Sequence, residues 1–133
     1  MPQLQNIVLM DRATTPVSHT FTPLDIQNGV ASVVESNGVP IGNSKLSISL
    51  RKTPQAGKYK AVLVLSLPTV VTETINGVAR PSVARTAYAE ATFTFDATST
   101  EQERKDLIGM FASSLDSSKV LVNDVLVKLQ AVY

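Results

Sequence analysis

The stretch KLSISLRKTPQAGKYKAVLVLSL, residues 45–67, decides how the chain is read. Its first run alternates: Lys45, Ser47, Ser49 and Arg51 fall to one side, and Leu46, Ile48 and Leu50 to the other. A strand turns successive side chains to opposite faces, so the run predicts a strand with one face on a core and one toward water. From residue 58 a second run sets Tyr59, Ala61, Leu63, Leu65 and Leu67 on one side, with Lys58 and Lys60 opening the other. Val62 and Val64 continue that second side, so its polar character is not uniform. Between the runs, Pro54 and Gly57 suit a short reversal. The stretch predicts a hairpin with one apolar and one cationic face, and the cationic face is where function is expected.

Working outward, the totals bound the answer. A chain of 133 residues is expected to form one domain around a single core. Its hydrophobic content of 44% is ordinary for a water-soluble protein, and no apolar run approaches the roughly 18 residues that span a membrane. The opening MPQLQNIVLMDR has no basic leader ahead of its short apolar run, so a secretion signal is not expected. With no cysteine there is no disulfide framework, thiolate metal site or thiol nucleophile.

Net charge is only +1, but its distribution is uneven. Residues 36–72 contain no Asp or Glu, yet carry Lys45, Arg51, Lys52, Lys58 and Lys60. The last third is acidic by comparison, with Asp96, Glu101, Glu103, Asp106, Asp116 and Asp124. A basic stripe on a balanced domain fits a polyanion partner. It equally fits a solvated sheet face whose lysines guard against aggregation.

Every proline, and every glycine except Gly109, precedes residue 82. That punctuation predicts short antiparallel strands over the first two thirds and a different regime after them. Strands are expected over residues 4–10 and 17–21, forming a first hairpin across a turn at 11–16. Residues 22–29 (TPLDIQNG) read as a connector, 30–35 as a third strand, and 39–44 as a loop containing Pro40 and Gly42. After Pro68, residues 69–75 meet Asn76-Gly77, the strongest two-residue hairpin signal in the chain. Residues 78–82 return from it, with Pro81 limiting how far they pair, so this part reads as a protruding ribbon or a long loop, able to contact neighbours. Over 83–95, Thr86, Tyr88, Glu90, Thr92 and Thr94 oppose Ala87, Ala89, Ala91, Phe93 and Phe95. The alanines predict close packing against their face. Tyr88, among polar residues, is either a cross-strand packing partner or a stacking platform for a base.

The last third reads as helical. Thr100 and Glu103 have the spacing of a capping box, with acid in the first turn. Leu107, Phe111 and Leu115 recur at i+4, widened by Ile108 and Ala112. After Ser117-Ser118, residues Leu121, Val122, Val125 and Leu129 predict a second helix. Two amphipathic helices suit one face of an antiparallel sheet. The single histidine, His19, is expected to be a polar strand residue. No zinc ligand set, phosphate-cradling glycine loop or nucleophile with a placed base is present, so an enzyme is not expected.

The order of pieces resembles the coat proteins of the small single-stranded RNA bacteriophages (the levivirus family, Q-beta-like subgroup). The resemblance covers essentially the whole chain. It is carried by NGVAS at 28–32, KLSISLRK at 45–52, KYK at 58–60, NGVARPSVARTAYAEATFTF at 76–95, STEQER from Ser99, and AVY ending at Tyr133. It implies an α+β fold: an N-terminal β-hairpin, a five-stranded antiparallel sheet and two C-terminal α-helices, in one coat-protein domain over 1–133. It also implies an interlocked homodimer in which the helices of each copy lie over the other's sheet. Such dimers build a quasi-equivalent (T=3) icosahedral capsid around genomic RNA in the bacterial cytoplasm, with no cofactor and no membrane. Their sheet binds an operator hairpin and represses replicase translation.

Carried over by position, the resemblance implies an adenine pocket of Val30, Ser47, Ser49, Lys60 and Val62. It makes Tyr88 the stacking ring, with Glu90 beside it, and Lys45, Arg51 and Lys58 phosphate-contacting cations. Hydroxyls and a lysine bond an unpaired base, a ring stacks on another, and cations position the backbone. Val62 stands where some relatives use a polar or cationic side chain, and Glu90 places a carboxylate near RNA. Two other readings stay open: a cellular dimeric RNA-binding module that builds no shell, and a structural coat with only nonspecific RNA contacts.

Overall fold

A computed structural model describes residues 2–36, 38–53 and 57–133. The reversal expected at Pro54 lies outside the described residues. The chain divides into two compact units, Met1–Thr94 and Phe95–Tyr133.

The first unit is built on strands. They are β1 (Ile7–Met10), β2 (Ser18–Gln27), β3 (Val30–Glu35), β4 (Ser44–Thr53), β5 (Lys58–Ile75) and β6 (Val78–Asp96), which runs on into the second unit. They form one sheet in chain order, each strand beside its sequence neighbour. The pairings β1–β2, β2–β3, β3–β4 and β4–β5 are all antiparallel. An N-terminal hairpin and a five-stranded sheet are thus both present, sharing β2. The first part of β2 pairs with β1, ending at Ile7↔Phe21, and its second part with β3, starting at Thr22↔Val34.

Turn chemistry explains the connections. The β1–β2 loop is held by Asp11, whose carboxylate accepts from the Ala13 and Val17 amides at 3.1 and 2.9 Å. The β2–β3 turn is Asn28-Gly29, with φ of 52° and 78°, and the β5–β6 turn is Asn76-Gly77, with φ of 51° and 77°. Two successive left-handed residues are what a tight hairpin between twisted strands requires, and Asn-Gly supplies them at the least steric cost. Between β3 and β4, Pro40–Gly42 forms a single 3-10 turn, in the loop expected there.

The prolines break fewer strands than the sequence suggested. Residues 22–27, expected as connector, belong to β2; the register shifts between Pro23 and Asp25, a bulge that absorbs the missing donor. Strand β5 runs through Pro68 without interruption, and its pairing with β4 ends at Ser66, so Pro68 lies beyond that ladder. Strand β6 runs through Pro81; it is last in the sheet order, and an edge strand leaves alternate amides unpaired. The ribbon after Pro68 is therefore a continuation of two long strands. At the N-terminus the reverse holds: β1 begins at Ile7 rather than at residue 4.

In the second unit, α1 (Glu101–Ser114) starts with the expected capping box. The Thr100 hydroxyl accepts from the Glu103 amide at 3.2 Å, and the Thr100 amide donates to the Glu103 carboxylate at 3.4 Å. Ahead of it, Asp96 accepts from the Thr98 amide and hydroxyl, and Arg104 donates back to the Ser99 carbonyl at 2.7 Å. The second helix, α2 (Val120–Leu126), is shorter than its pattern implied. Leu129, expected at helical spacing, instead has a φ of 57°, which ends regular helix.

Burial within the single chain is sparse. Among the described residues only Phe21, Ser32, Val33 and Gly42 fall in the buried class. Leu50 (63% exposed) and Ile48 (49%) lie open on the sheet, and Phe111 (43%) on α1. Ala87 and Ala89, expected against a core, are exposed in the isolated chain, and Ala91 is half-buried.

Candidate nucleic-acid interface

Register assembles the cationic face. Directly opposed residues of antiparallel strands share a face, so each pair names two neighbours on one side of the sheet. Across β3, β4 and β5 the rows are Val30–Ser49–Val62, Ser32–Ser47–Val64 and Val34–Lys45–Ser66. Beyond β3 the face continues as Arg51 opposite Lys60 and Thr53 opposite Lys58. Val30, Lys45, Ser47, Ser49, Arg51, Lys58, Lys60 and Val62, drawn from three strands, therefore lie together. Their alternate neighbours Ala31, Val33, Leu46, Ile48, Leu50, Ala61, Leu63 and Leu65 make the other face.

Exposure divides the site into floor and rim. Val30, Ser47, Ser49 and Val62 are half-buried, whereas Lys45, Arg51, Lys58 and Lys60 are exposed. This gives a shallow floor of hydroxyls and methyl groups ringed by exposed cations. Such a floor admits a flat unpaired base, and the cations meet the backbone on either side. Tyr88 and Glu90 stand two residues apart on β6, hence on one side of that strand, and both are exposed, Tyr88 at 76%. A ring that open contributes little to packing in the single chain and is free to stack on a ligand.

The guanidinium of Arg51 is oriented by the β2–β3 turn: Nη2 donates to the Asn28 carbonyl at 3.2 Å. The residue sits at the open end of β4, where Lys60 opposes it, so two cations are adjacent. From β3 to β5 this face carries no carboxylate, which lets the positive charges act without a local counter-ion. Asp25 borders it on β2, opposite Ser32.

Sequence reasoning passed over some members of this face. Ser32, 4% exposed, stands between Asp25 and Ser47 on the floor. Thr53 extends the rim opposite Lys58. The signal for Ser32 was the same period of two applied to β3. Asp25 was hidden because residues 22–29 had been read as a connector. Lys52 falls on the apolar side, its ammonium 5.7 Å from the ring centroid of Tyr59, which opposes it. It is the one cation of the stripe that the cationic face does not gain.

Comparison with known proteins gives a consistent picture. A family model described as levivirus coat protein matches residues 2–133. The chain is 51% identical over 131 residues to the capsid protein of Pseudomonas phage PRR1, covering 98% of this chain and 99% of that one. It is 34% identical over 116 residues to the capsid protein of Escherichia virus Qbeta, covering 84% and 78%. Among solved structures, the virus-like particle of bacteriophage ESE058 aligns with a TM-score of 0.85 at 27% identity, covering 99% of this chain and 100% of that one.

Proposed function

This chain belongs to the levivirus coat protein family, and on that premise we propose that it folds as one coat domain whose dimers build a closed icosahedral shell and whose cationic sheet face reads a hairpin of the packaged RNA. As a capsid protein of that family it is a structural component of an RNA phage virion, not an enzyme. Similar chains are solved as virus-like particles, which supports assembly of this one.

One observation carries the RNA reading. The register of β3, β4 and β5 gathers serine hydroxyls, valine methyls and exposed cations on one face, with the apolar residues on the other. The opposite face supports the dimer. In isolation the chain leaves many large apolar side chains exposed, Ile48, Leu50 and Phe111 among them, and sparse burial leaves little to offset the entropy of folding. A second copy covering Ile48, Leu50 and the α1 stripe resolves this, in the interlocked arrangement that the family resemblance implies. In this reading the dimers assemble in the bacterial cytoplasm into a quasi-equivalent T=3 shell, and binding of the operator hairpin represses replicase translation before the shell closes.

Expression in bacteria is expected to yield RNase-resistant particles containing nucleic acid, seen by electron microscopy. Soluble dimers alone, across protein concentrations and salts, would overturn the shell. A second reading, nonspecific charge neutralisation, draws on Val62 in the floor, on Asp25 at its border and on the carboxylate of Glu90 beside Tyr88, which weaken the case for a tight base pocket. Competition between stem-loops of the cognate genome and unrelated RNA at moderate salt separates the two. Preference for one stem-loop supports operator reading, and equal competition supports neutralisation.

A further inference from the structure

Strand β2 changes partner between Phe21, which pairs with β1, and Thr22, which pairs with β3. A strand handed from one neighbour to another has no continuous ladder on one side across the handover, so the N-terminal hairpin hangs from the sheet at a bending point. His19 stands just before it, and its ring spans the junction. Nε2 lies 2.8 Å from Oδ2 of Asp11, in the β1–β2 loop. Nδ1 lies 2.9 Å from Oε2 of Glu35, at the end of β3. Neither contact belongs to a strand ladder: His19 opposes Leu9, and Glu35 opposes Ser44.

Only the doubly protonated imidazole has a donor on both nitrogens; the neutral ring has one N–H and one lone pair. With both carboxylates ionised, loss of a proton turns one of these bonds into a lone pair facing an anion. The carboxylates engage different nitrogens and do not converge on a common point, which makes the cluster an ion-pair bridge rather than a metal cage. We infer that His19 is a proton-dependent bracket that fastens the N-terminal hairpin to the main sheet, closed with both ring protons in place and released when one is lost.

The surroundings fit that role. The charged groups facing the ring are Asp11 from the loop and Glu35 from β3. The other elements bring Leu9, Phe21, Ser44, Leu65 and Leu67 around an adjoining cavity of about 170 Å³, and none of these titrates. Hydrogen bonds to Asp11 and then to Glu35 raise the ring above its ordinary 6.5. Hydrogen bonds donated by the Val17 amide, then by His19 and the Ala13 amide, lower Asp11 to about 2. The raised histidine contributes fully below its ordinary value and loses that contribution as pH rises through the raised one. The lowered Asp11 contributes above its ordinary 3.8 and loses that contribution as pH falls through about 2. The bracket is therefore closed at mildly acidic pH, below the ring's ordinary 6.5, and opens as pH rises through the raised value. The ring's side chain is 36% exposed, so solvent screens the pair and local loosening is expected rather than global unfolding.

Hydrogen exchange read by mass spectrometry on the full-length protein tests this. After correction for intrinsic rates, peptides covering β1 and the β1–β2 loop should lose about 3–10-fold of their protection between about pH 6 and about pH 9, while β4 and β5 stay unchanged. In His19→Gln the β1 protection should be low and flat with pH. As His19 is the only histidine, its ring signals can be titrated by NMR without ambiguity. The wild-type midpoint should lie above 6.5, and Glu35→Gln should lower it. Protection of β1 that does not change with pH in the wild type, or a midpoint that Glu35→Gln leaves in place, overturns the bracket.

Discussion

The two faces of β3, β4 and β5 are made from alternate residues of the same strands, yet they ask for different partners. The face of Ser47, Ser49, Arg51 and Lys60 is polar at its rim and half-buried at its floor, and water or a polyanion satisfies it. The face of Leu46, Ile48, Leu50 and Leu63 is apolar, with Leu50 63% exposed in the isolated chain. Water does not satisfy it, and burial of such side chains is worth about 1.5–3 kcal/mol each. The difference teaches why the proposed function gives binding to one face and assembly to the other. It also separates their mutational signatures, because side chains on opposite faces share no neighbours.

The comparison breaks most severely on the apolar side. Leu50→Asp places a carboxylate where a second copy is expected to cover the sheet, and should cost about 3 kcal/mol or more per subunit through lost burial and an unpaired charge. Sedimentation should show loss of particles; wild-type particle yield would mean that nothing covers this face in the shell. For the proposed RNA contact, Tyr88→Ala should weaken hairpin binding by about 1–3 kcal/mol, the worth of one stacked base, with particle formation intact. Unchanged affinity in a filter-binding titration would remove Tyr88 from the RNA surface.

A change on neither face sharpens the contrast. Thr100→Ala removes the α1 cap and should lower stability to urea by about 1 kcal/mol without altering hairpin affinity. A matching loss of affinity would show that the helix and the RNA face are coupled. The gentlest probe is charge: Lys60→Ala and Arg51→Ala should each reduce the slope of log affinity against log salt by about 1. Slopes equal to wild type in both variants would mean that these cations do not meet phosphate.

Much of this was legible in the sequence, for a physical reason. A strand's period of two is set by covalent geometry, so Lys45 to Arg51 declares its faces without help from the rest of the chain. The Asn76-Gly77 turn and the Thr100–Glu103 box are likewise local, each needing only a few consecutive residues of the right type. Proline was the misleading signal. Its cost in a strand depends on whether the missing N–H would have met a partner, and residues 22–27, Pro68 and Pro81 were judged without knowledge of the ladder. Reading 22–29 as a connector also hid Asp25 at the border of the cationic face.

What the sequence determined alone is the inventory and its sidedness: strands with one cationic and one apolar face, hairpin turns where Asn-Gly stands, a capped helix, and no cysteine chemistry. What only the tertiary structure decided is adjacency. Pairing three strands in register set Val30 beside Ser49 and Val62, and Arg51 beside Lys60. It also brought His19 to Glu35, sixteen residues away, and to Asp11, eight away. A local pattern specifies which way a side chain points; which other side chain it meets depends on strand register, and register is fixed by contacts between segments distant in the chain.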